Sequence, residues 1–176
     1  MGTPQTPPPV KLIVGVLAAA APLLTAAAAR LQERFGPIDS RSEPCAWGFS
    51  HYYRDEMGPS LVRQFVTFER LLAPGKLAGI KQLTNEMEGE WRTESGRRVN
   101  LDPGYVAATK LVLATTKDAG HRVYLSGGIH AEVTLQFIDG SFQPLFHTYP
   151  DYAAVEALTF FSRVRSHYLA QLRGLH

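Results

Sequence analysis

The chain of 176 residues carries a formal net charge of +2, with 45% hydrophobic and 19% charged residues. This length and composition are typical of one globular domain that buries a sizeable core. The small net charge argues against a broad nucleic-acid-binding surface. The single cysteine, Cys45, excludes a disulfide within the chain and is typical of a reducing compartment. We therefore expect a cytoplasmic protein with a buried, inert thiol.

The N-terminal segment predicts a short tail followed by a strand and a helix. Residues 1–9 are rich in proline and threonine, which predicts a disordered tail before a single domain over residues 10–176. The run Lys11–Leu17 predicts a buried strand, and the alanine-rich segment Ala18–Phe35 predicts a helix. The apolar stretch within them resembles a signal peptide or a membrane span, but its helical period continues into charged residues. We therefore predict a folded strand–helix unit without a membrane anchor.

The middle of the chain alternates between strand and helix patterns. Leu61–Leu71 has the period of a strand, and Lys76–Trp91 has the period of an amphipathic helix. Asn100–Gly104 contains Asp-Pro-Gly, which is typical of a turn, and Tyr105–Thr116 predicts one strand after that turn. Two weaker patterns predict strands at Phe49–Tyr53 and His121–Leu125.

A β-hairpin over residues 128–149 is the clearest prediction in the second half of the chain. Asp139 and Gly140 form a favoured two-residue turn, because both positions accept positive φ, and this turn pairs Ile138 with Ser141. Alternation along the strands then places one set of apolar side chains on a face that packs against helices. The predicted core set of this region is Val123, Ala131, Val133, Leu135, Phe137 and Phe146.

The last predicted element is a helix from Asp151, as N-cap, to Gly174, with Val155 on its inward face. In chain order the elements are β-α-β-β-α-β followed by β-β-β-α. We predict the α+β class, with a single domain and a mostly antiparallel sheet. Its core is expected to be ferredoxin-like and to be extended by a β-hairpin and a C-terminal helix.

The opposite face of the hairpin carries ionisable side chains. Continuing the register places Glu132 opposite His147 and His130 opposite Tyr149. The preceding strand places Arg122 beside Glu132, and we expect these two residues to form an exposed ion pair. A face with an acid, imidazoles and a phenol indicates a possible site.

We predict that any small-ligand site lies on this polar face and takes a small anion. The guanidinium fork of Arg122 suits a phosphate or a carboxylate. Glu132 holds that fork or accepts a hydrogen bond from a ligand hydroxyl, and Tyr149 offers a phenol or a stacking ring. Three further residues lie at the rim of the predicted site, namely Asp102, Lys110 and Lys117. The pattern does not identify a reaction, a cofactor or an oligomeric state.

Other functions fit parts of the same pattern. His130, Glu132 and His147 have the composition of a facial metal triad, although a solvated polar sheet face explains them without a metal. A protein-interaction module that uses the aromatic segment Trp47–Tyr53, or an RNA-binding module that uses tyrosines, is an alternative without catalysis. No GxxxxGKS or GxxxxGKT string is present, so the chain does not predict a phosphate-binding P-loop.

Several strings in the chain resemble a known family. They occur in order between Lys11 and Arg173 and include Asn100–Tyr105, Lys110–Asp118, Ala131–Leu135, Gly140–Leu145 and Thr148–Tyr152. Together they resemble the uncharacterised prokaryotic family of domain of unknown function 4416. The resemblance implies a stand-alone cytosolic protein without an established activity. The family pattern has aromatic residues at the positions of His130 and His147, which weakens any role that depends on these histidines, and we predict that metal is absent or weakly bound.

Overall fold

A nine-stranded antiparallel sheet forms the centre of the fold. The computed structural model describes residues 2–49 and 54–175, and the strands are counted within these ranges. The strands of the sheet are β1 (Val10–Ala18), β2 (Ile38–Arg41), β3 (Cys45–Trp47), β4 (Leu61–Leu72), β7 (Val99–Val106), β8 (Lys110–Thr115), β9 (Val123–Ser126), β10 (Ile129–Ile138) and β11 (Ser141–Pro144). A separate ribbon pairs β5 (Arg92–Thr93) with β6 (Gly96–Arg97).

The described residues also form five α-helices. They are α1 (Ala21–Phe35), α2 (Arg54–Met57), α3 (Leu77–Glu88), α4 (Pro150–Ala153) and α5 (Val155–Arg173). Single 3-10 turns at Pro74–Lys76 and Gly89–Trp91 flank α3. Within these ranges, no helix is long and apolar enough to cross a membrane.

The strand order is β11-β10-β8-β7-β1-β4-β2, with β3 beside β4 and β9 beside β10. Each of these neighbouring pairs is antiparallel. The connection through α1 runs from β1 past β4 to β2, and the connection through α3 runs from β4 past β1 to β7. Each helical connection therefore skips one strand of the sheet. The predicted class, α+β with a mostly antiparallel sheet, is confirmed.

Helices cover both faces of this sheet. On one face, α1 and α3 pack over side chains such as Val14 and Phe68. On the other face, α4 and α5 pack over the sheet, where Phe161 joins Leu111 and Leu135 in a second core.

The apolar face predicted for the hairpin is divided by a β-bulge at Thr134. The register of β10 against β8 shifts between Val133 and Leu135. Ala131 and Val133 therefore pack with the α3 side, whereas Leu135 and Phe137 pack with the α5 side. The prediction of one common face is wrong, because a bulge reverses the alternation of side chains along a strand.

Four further burial predictions are wrong. Val123 of β9 is 69% exposed, because β9 is an edge strand, and Phe146 is 94% exposed, because it follows the end of β11. Val155 in the first turn of α5 and Cys45 on β3 are also exposed. Periodicity in the sequence does not show which strands form an edge of the sheet.

Four predicted elements differ from the structure in their type or boundaries. Residues 100–104, predicted as a turn, lie within β7, and the predicted strand 105–116 is divided between β7 and β8. The N-cap of α4 is Tyr149, and Asp151 lies inside that helix. Phe49 lies outside the strands, and the remainder of the strand predicted at 49–53 lies outside the described residues.

The hairpin turn itself is as predicted. Ile138 pairs with Ser141, and Asp139 has a φ of 49° at the turn. Since β11 ends at Pro144, the predicted cross-strand pairing of Glu132 with His147, and of His130 with Tyr149, does not form. The segment after β11 leaves the strand path and leads into α4.

Candidate functional site

A cleft opens where β7 and β8 separate. The two strands pair over three positions and stop at Gly104 and Leu113. The N–H of Ala107 donates to the carbonyl of Lys110, so Ala107, Tyr105 and Pro103 direct their backbone groups toward β8. Pro103 has no N–H to donate. The ladder between β7 and β8 therefore ends at this proline.

Side chains of α3 bind the backbone of β7 that β8 leaves unpaired. The N–H of Leu101 donates to Glu88 Oε1 at 2.8 Å, and its carbonyl accepts from Lys81 Nζ at 2.8 Å. Glu88 is also bound by Arg97 at 2.9 Å. Burial raises the pKa of Glu88. These contacts satisfy a buried peptide and place the ammonium group of Lys81 beside the gap between the strands.

A buried arginine joins two carboxylates on the other side of the cleft. Arg63 of β4 donates from Nη1 to Asp102 at 3.0 Å, and from Nε and Nη2 to Asp151 at 2.9 and 2.8 Å. Trp47 Nε1 also donates to Asp151, at 3.2 Å. Burial alone would lower the pKa of Arg63, but the charges of Asp151 and Asp102 raise it. The guanidinium therefore stays charged and links β4, β7 and α4 beneath the surface.

Gly15 of β1 leaves room for this group. It pairs with Asp102 across the ladder to β7. A Cβ atom at Gly15 would lie 2.5 Å from the hydroxyl of Tyr152 and 3.0 Å from Nη1 of Arg63. Burial raises the pKa of Tyr152 well above its ordinary value of 10.0, so its phenol is neutral and keeps its proton. Glycine therefore allows a phenol and a guanidinium to meet over the centre of the sheet.

A second arginine–carboxylate pair forms the outer wall. Arg122 Nε donates to Glu132 Oε2 at 2.8 Å, and Nη2 donates to the hydroxyl of Tyr149 at 2.9 Å. His121 Nε2 lies 3.4 Å from the same oxygen of Glu132. Arg122 lies beside Glu132 as predicted, but the expectation of an exposed pair is wrong, since their side chains are 8% and 1% exposed. A buried pair of this kind holds the wall in place.

The cleft contains a cavity of about 140 Å³ that is lined by buried hydrogen-bond donors. The hydroxyl of Tyr152 has no hydrogen-bond partner among the described residues, although Tyr152 is only 1% exposed. Asn100, which is 3% exposed, accepts from Arg97 through Oδ1 at 2.9 Å, whereas its Nδ2 lies beside the carboxylate of Asp102 without a well-aligned hydrogen bond. Lys81, which is 6% exposed, makes one hydrogen bond, to Leu101, and no ion pair within the described part of the chain. Buried donors are normally paired, so donors that line a cavity indicate a site for an acceptor.

Asp102 supplies a carboxylate to the wall of the same cavity. Its side chain is 25% exposed, and it lies between Arg63 and the cavity. Burial alone would raise the pKa of Asp102, but Arg63 and then Lys81 lower it below the ordinary value of 3.8. Asp102 is therefore ionised at neutral pH and acts only as a hydrogen-bond acceptor.

The structure brings most of the predicted ligand-binding residues together. Lining the cleft are four of the six, namely Asp102, Lys117, Glu132 and Tyr149. Arg122 lies behind this wall and donates to three of them, namely the carboxylate of Glu132, the hydroxyl of Tyr149 and the backbone carbonyl of Lys117. Lys110 is exposed in a separate groove beside Gln136, because it lies at the opposite end of β8.

Sequence patterns do not identify the inner residues of the cleft, which are Gly15, Arg63, Lys81, Asn100, Asp151 and Tyr152. One signal was present for Lys81, which follows the buried Leu77 by four residues and so shares the apolar face of α3. A charge on the apolar face of a helix needs a buried partner or a ligand. No comparable signal marks the contact between Arg63 and Asp151, which lie 88 residues apart.

The histidines do not converge on Glu132 as a metal triad. His147 stacks on His121 with ring centroids 4.1 Å apart, and its Nε2 forms a hydrogen bond with the carbonyl of Val133. His130 packs against Tyr124. In the part of the chain that the structure describes, no group of three or more His, Cys, Asp or Glu side chains is placed to hold a metal ion.

Comparison with known proteins finds one family. The family profile described as domain of unknown function (DUF4416) matches residues 8–168, which confirms the resemblance seen in the sequence strings. No curated protein and no solved structure matches the chain. The family description names no activity, so any functional argument has to start from the cleft.

Proposed function

Because the chain belongs to the DUF4416 family, whose function is unknown, we propose a function from its cleft: the protein binds a small anion, a phosphate or a carboxylate, between β7 and β8. The observation that supports this proposal is the set of buried donors without sufficient acceptors, on Lys81, Asn100 and Tyr152. The ammonium group of Lys81 interacts with the charges of Glu88 and Asp102 but makes no hydrogen bond with either, so two of its three donor positions lack an acceptor among the described residues. An anion in the cavity would supply acceptors to these positions.

The size of the cavity limits the ligand. A cavity of about 150 Å³ holds a molecule the size of benzene, and this one measures about 140 Å³. A phosphate group or a short carboxylic acid fits this space. A larger molecule would keep its remaining part at the mouth of the cleft, where Thr116, Lys117 and Tyr149 are exposed.

The exposed thiol of Cys45 supports a reducing compartment, so the proposed site of action is the cytoplasm.

Thermal unfolding in the presence of phosphate, sulfate and glycolate tests the proposal. An anion at 100 times its Kd stabilises the native state by about 2.7 kcal/mol, which corresponds to a rise in Tm of roughly 5–11 °C for a chain of this size. The variant Lys81→Met keeps the volume of the side chain, removes the ammonium group and should lose this rise. Lys110→Met is the matched control, because Lys110 lies outside the cleft, and it should keep the rise.

Two results would contradict the proposal. One is a wild-type protein whose Tm is unchanged by all three anions at millimolar concentration. The other is a Tm increase that is equal in wild type and Lys81→Met, because the anion would then bind elsewhere on the surface.

We propose protein interaction as a second function, on a different surface from the predicted Trp47–Tyr53 segment. The residues Val123, Tyr124 and Leu125 of β9 are exposed, and β9 pairs only with β10 among the described strands. Phe146 adds an apolar ring that is almost fully exposed. Exposed apolar residues on an edge strand whose outer side is unpaired favour addition of a strand from another chain. If chains associate through β9, Tyr124→Ser should lower the molar mass of the complex measured by light scattering. An unchanged molar mass would exclude β9 as the interface.

A further inference from the structure

We infer that the anion of the cleft is a phosphate group that carries a proton, and that the carboxylate of Asp102 accepts a hydrogen bond from that protonated oxygen. This inference rests on the proposed anion site and narrows its ligand class. Two observations carry it. The donors surround the cavity, and of the three carboxylates that line it, Asp102 is the most exposed, at 25%. The other two, Glu132 and Asp151, are 1% and 5% exposed and are bound by Arg122 and Arg63 respectively.

The donors of the cavity come from three different elements. Lys81 belongs to α3 on one face of the sheet, Asn100 to β7 at the gap itself, and Tyr152 to α4 on the opposite face. Donors placed on both sides of a sheet surround a ligand instead of lying in one plane. A tetrahedral oxyanion presents four oxygens in different directions and matches this arrangement better than the two coplanar oxygens of a carboxylate.

Asp102 imposes the second requirement. Its side chain contacts Arg63 on one side and is partly exposed toward the cavity on the other. An anion without a proton would place its oxygen lone pairs against this carboxylate and would be repelled. Hydrogen phosphate and a protonated phosphate monoester each have a P–O–H group, which donates to a carboxylate. Sulfate has the same tetrahedral shape but no proton near neutral pH, so the site should reject it.

The free phosphate ion and the phosphate monoester of a larger molecule share this chemistry. The cavity accommodates the phosphate group of either ligand, and the organic part of a monoester would extend past Tyr149 at the mouth. A single buried acceptor discriminates strongly between a ligand that donates to it and one that does not, because the second ligand leaves a buried polar group unpaired.

Isothermal titration at pH 6 with inorganic phosphate, glycerol phosphate and sulfate tests the inference. At this pH a substantial fraction of the monoester is protonated, since its second pKa is about 6. We expect phosphate to bind at least about tenfold more tightly than sulfate, even though sulfate carries the larger charge at pH 6. Tighter binding of glycerol phosphate than of inorganic phosphate would assign the site to a monoester, and the reverse order would assign it to the free ion. Either order supports the inference.

The variant Asp102→Asn replaces the acceptor with an amide that also donates. It should weaken phosphate binding, strengthen sulfate binding and so abolish the preference. Asp139→Asn, at the turn between β10 and β11, is the matched control and should keep the preference of wild type. If Asp102→Asn does not fold, the ratio of phosphate to sulfate affinity of the wild-type protein still tests the inference. A crystal structure of the wild-type protein with phosphate should then show an oxygen of the ion within hydrogen-bonding distance of Asp102.

The failures of the two proposals are distinguishable. Equal affinity for phosphate and sulfate, or a bound phosphate that makes no contact with Asp102, overturns the protonated-phosphate inference and leaves anion binding intact. A titration in which phosphate, sulfate and glycolate all fail to bind overturns the proposed anion site itself.

Discussion

Substituting Gly15 by alanine tests the packing of the cleft most directly. The added Cβ would lie 2.5 Å from the hydroxyl of Tyr152 and 3.0 Å from Arg63. The ring of Tyr152 has little freedom to withdraw, because it is stacked on Phe161 with centroids 5.8 Å apart and meets the edge of Phe65 at 5.0 Å. Accommodating the methyl group therefore requires a shift of packed rings or of the guanidinium.

The expected cost follows from this geometry. Forcing one extra carbon into a well-packed core destabilises a protein by about 1–3 kcal/mol. For a domain of this size, each kcal/mol lowers Tm by about 2–4 °C, so Gly15→Ala should lower it by roughly 2–12 °C. Gly79 is the matched control, because it lies within α3 and a methyl group added there would meet no atom within 4 Å. Gly79→Ala should stabilise the protein by about 0.4–1 kcal/mol.

A double-mutant cycle separates the contact from general effects of alanine. Tyr152→Phe removes the atom that approaches the new methyl group most closely. The hydroxyl has no hydrogen-bond partner among the described residues, so Tyr152→Phe alone should be close to neutral without ligand. Combined with Gly15→Ala, it should recover about 1 kcal/mol or more of the loss in urea-induced unfolding. If Gly15→Ala changes the free energy of unfolding by less than about 0.5 kcal/mol, or if Tyr152→Phe recovers none of the loss, the packing argument is wrong.

Two further predictions concern the charged groups. Arg122→Ala should cost about 3–5 kcal/mol in urea-induced unfolding, because it leaves the buried carboxylate of Glu132 without its arginine; a loss below about 1 kcal/mol would show a solvent-screened pair. Asp102 has a folded pKa below its ordinary value of 3.8, so its contribution to stability is fully present above that value and is lost as the pH falls through the folded pKa. Asp102→Asn should therefore show a weaker dependence of stability on pH below about 4 than wild type, and parallel acid-unfolding curves would contradict this.

Local periodicity was sufficient to predict most of the elements. The strand β1, the helices α1 and α3 and the turn at Asp139-Gly140 each follow from a pattern contained in a short window. The failures arise where the same local signal fits two environments. Asp-Pro-Gly at 102–104 is typical of a turn, but it lies within β7. Pro103 is tolerated there because β8 no longer pairs with β7 at this position, so no N–H is required. Only the pairing of distant strands decides between these two outcomes.

The outer wall of the candidate site was predictable for a similar reason. Arg122 directly precedes β9 and Glu132 lies on β10, ten residues later, so a short hairpin brings them together. The inner site depends on contacts that no local pattern contains. Lys81 meets β7 because α3 lies in the connection that crosses β1, and Arg63 meets Asp151 across 88 residues of sequence. The chemistry of such a cleft emerges only after the sheet has assembled.

The same proline connects the fold to the proposed function. Because Pro103 ends the ladder, Leu101 takes its hydrogen bonds from α3, and this need explains one bond of Lys81 and one of Glu88. It does not explain why the ammonium group of Lys81, which interacts with the charges of Glu88 and Asp102, keeps donor positions without an acceptor among the described residues. Nor does it explain the amide nitrogen of Asn100 or the hydroxyl of Tyr152. Donor positions that are left without acceptors in a buried site are unfavourable. The anion that we propose would complete the hydrogen bonds of these donors.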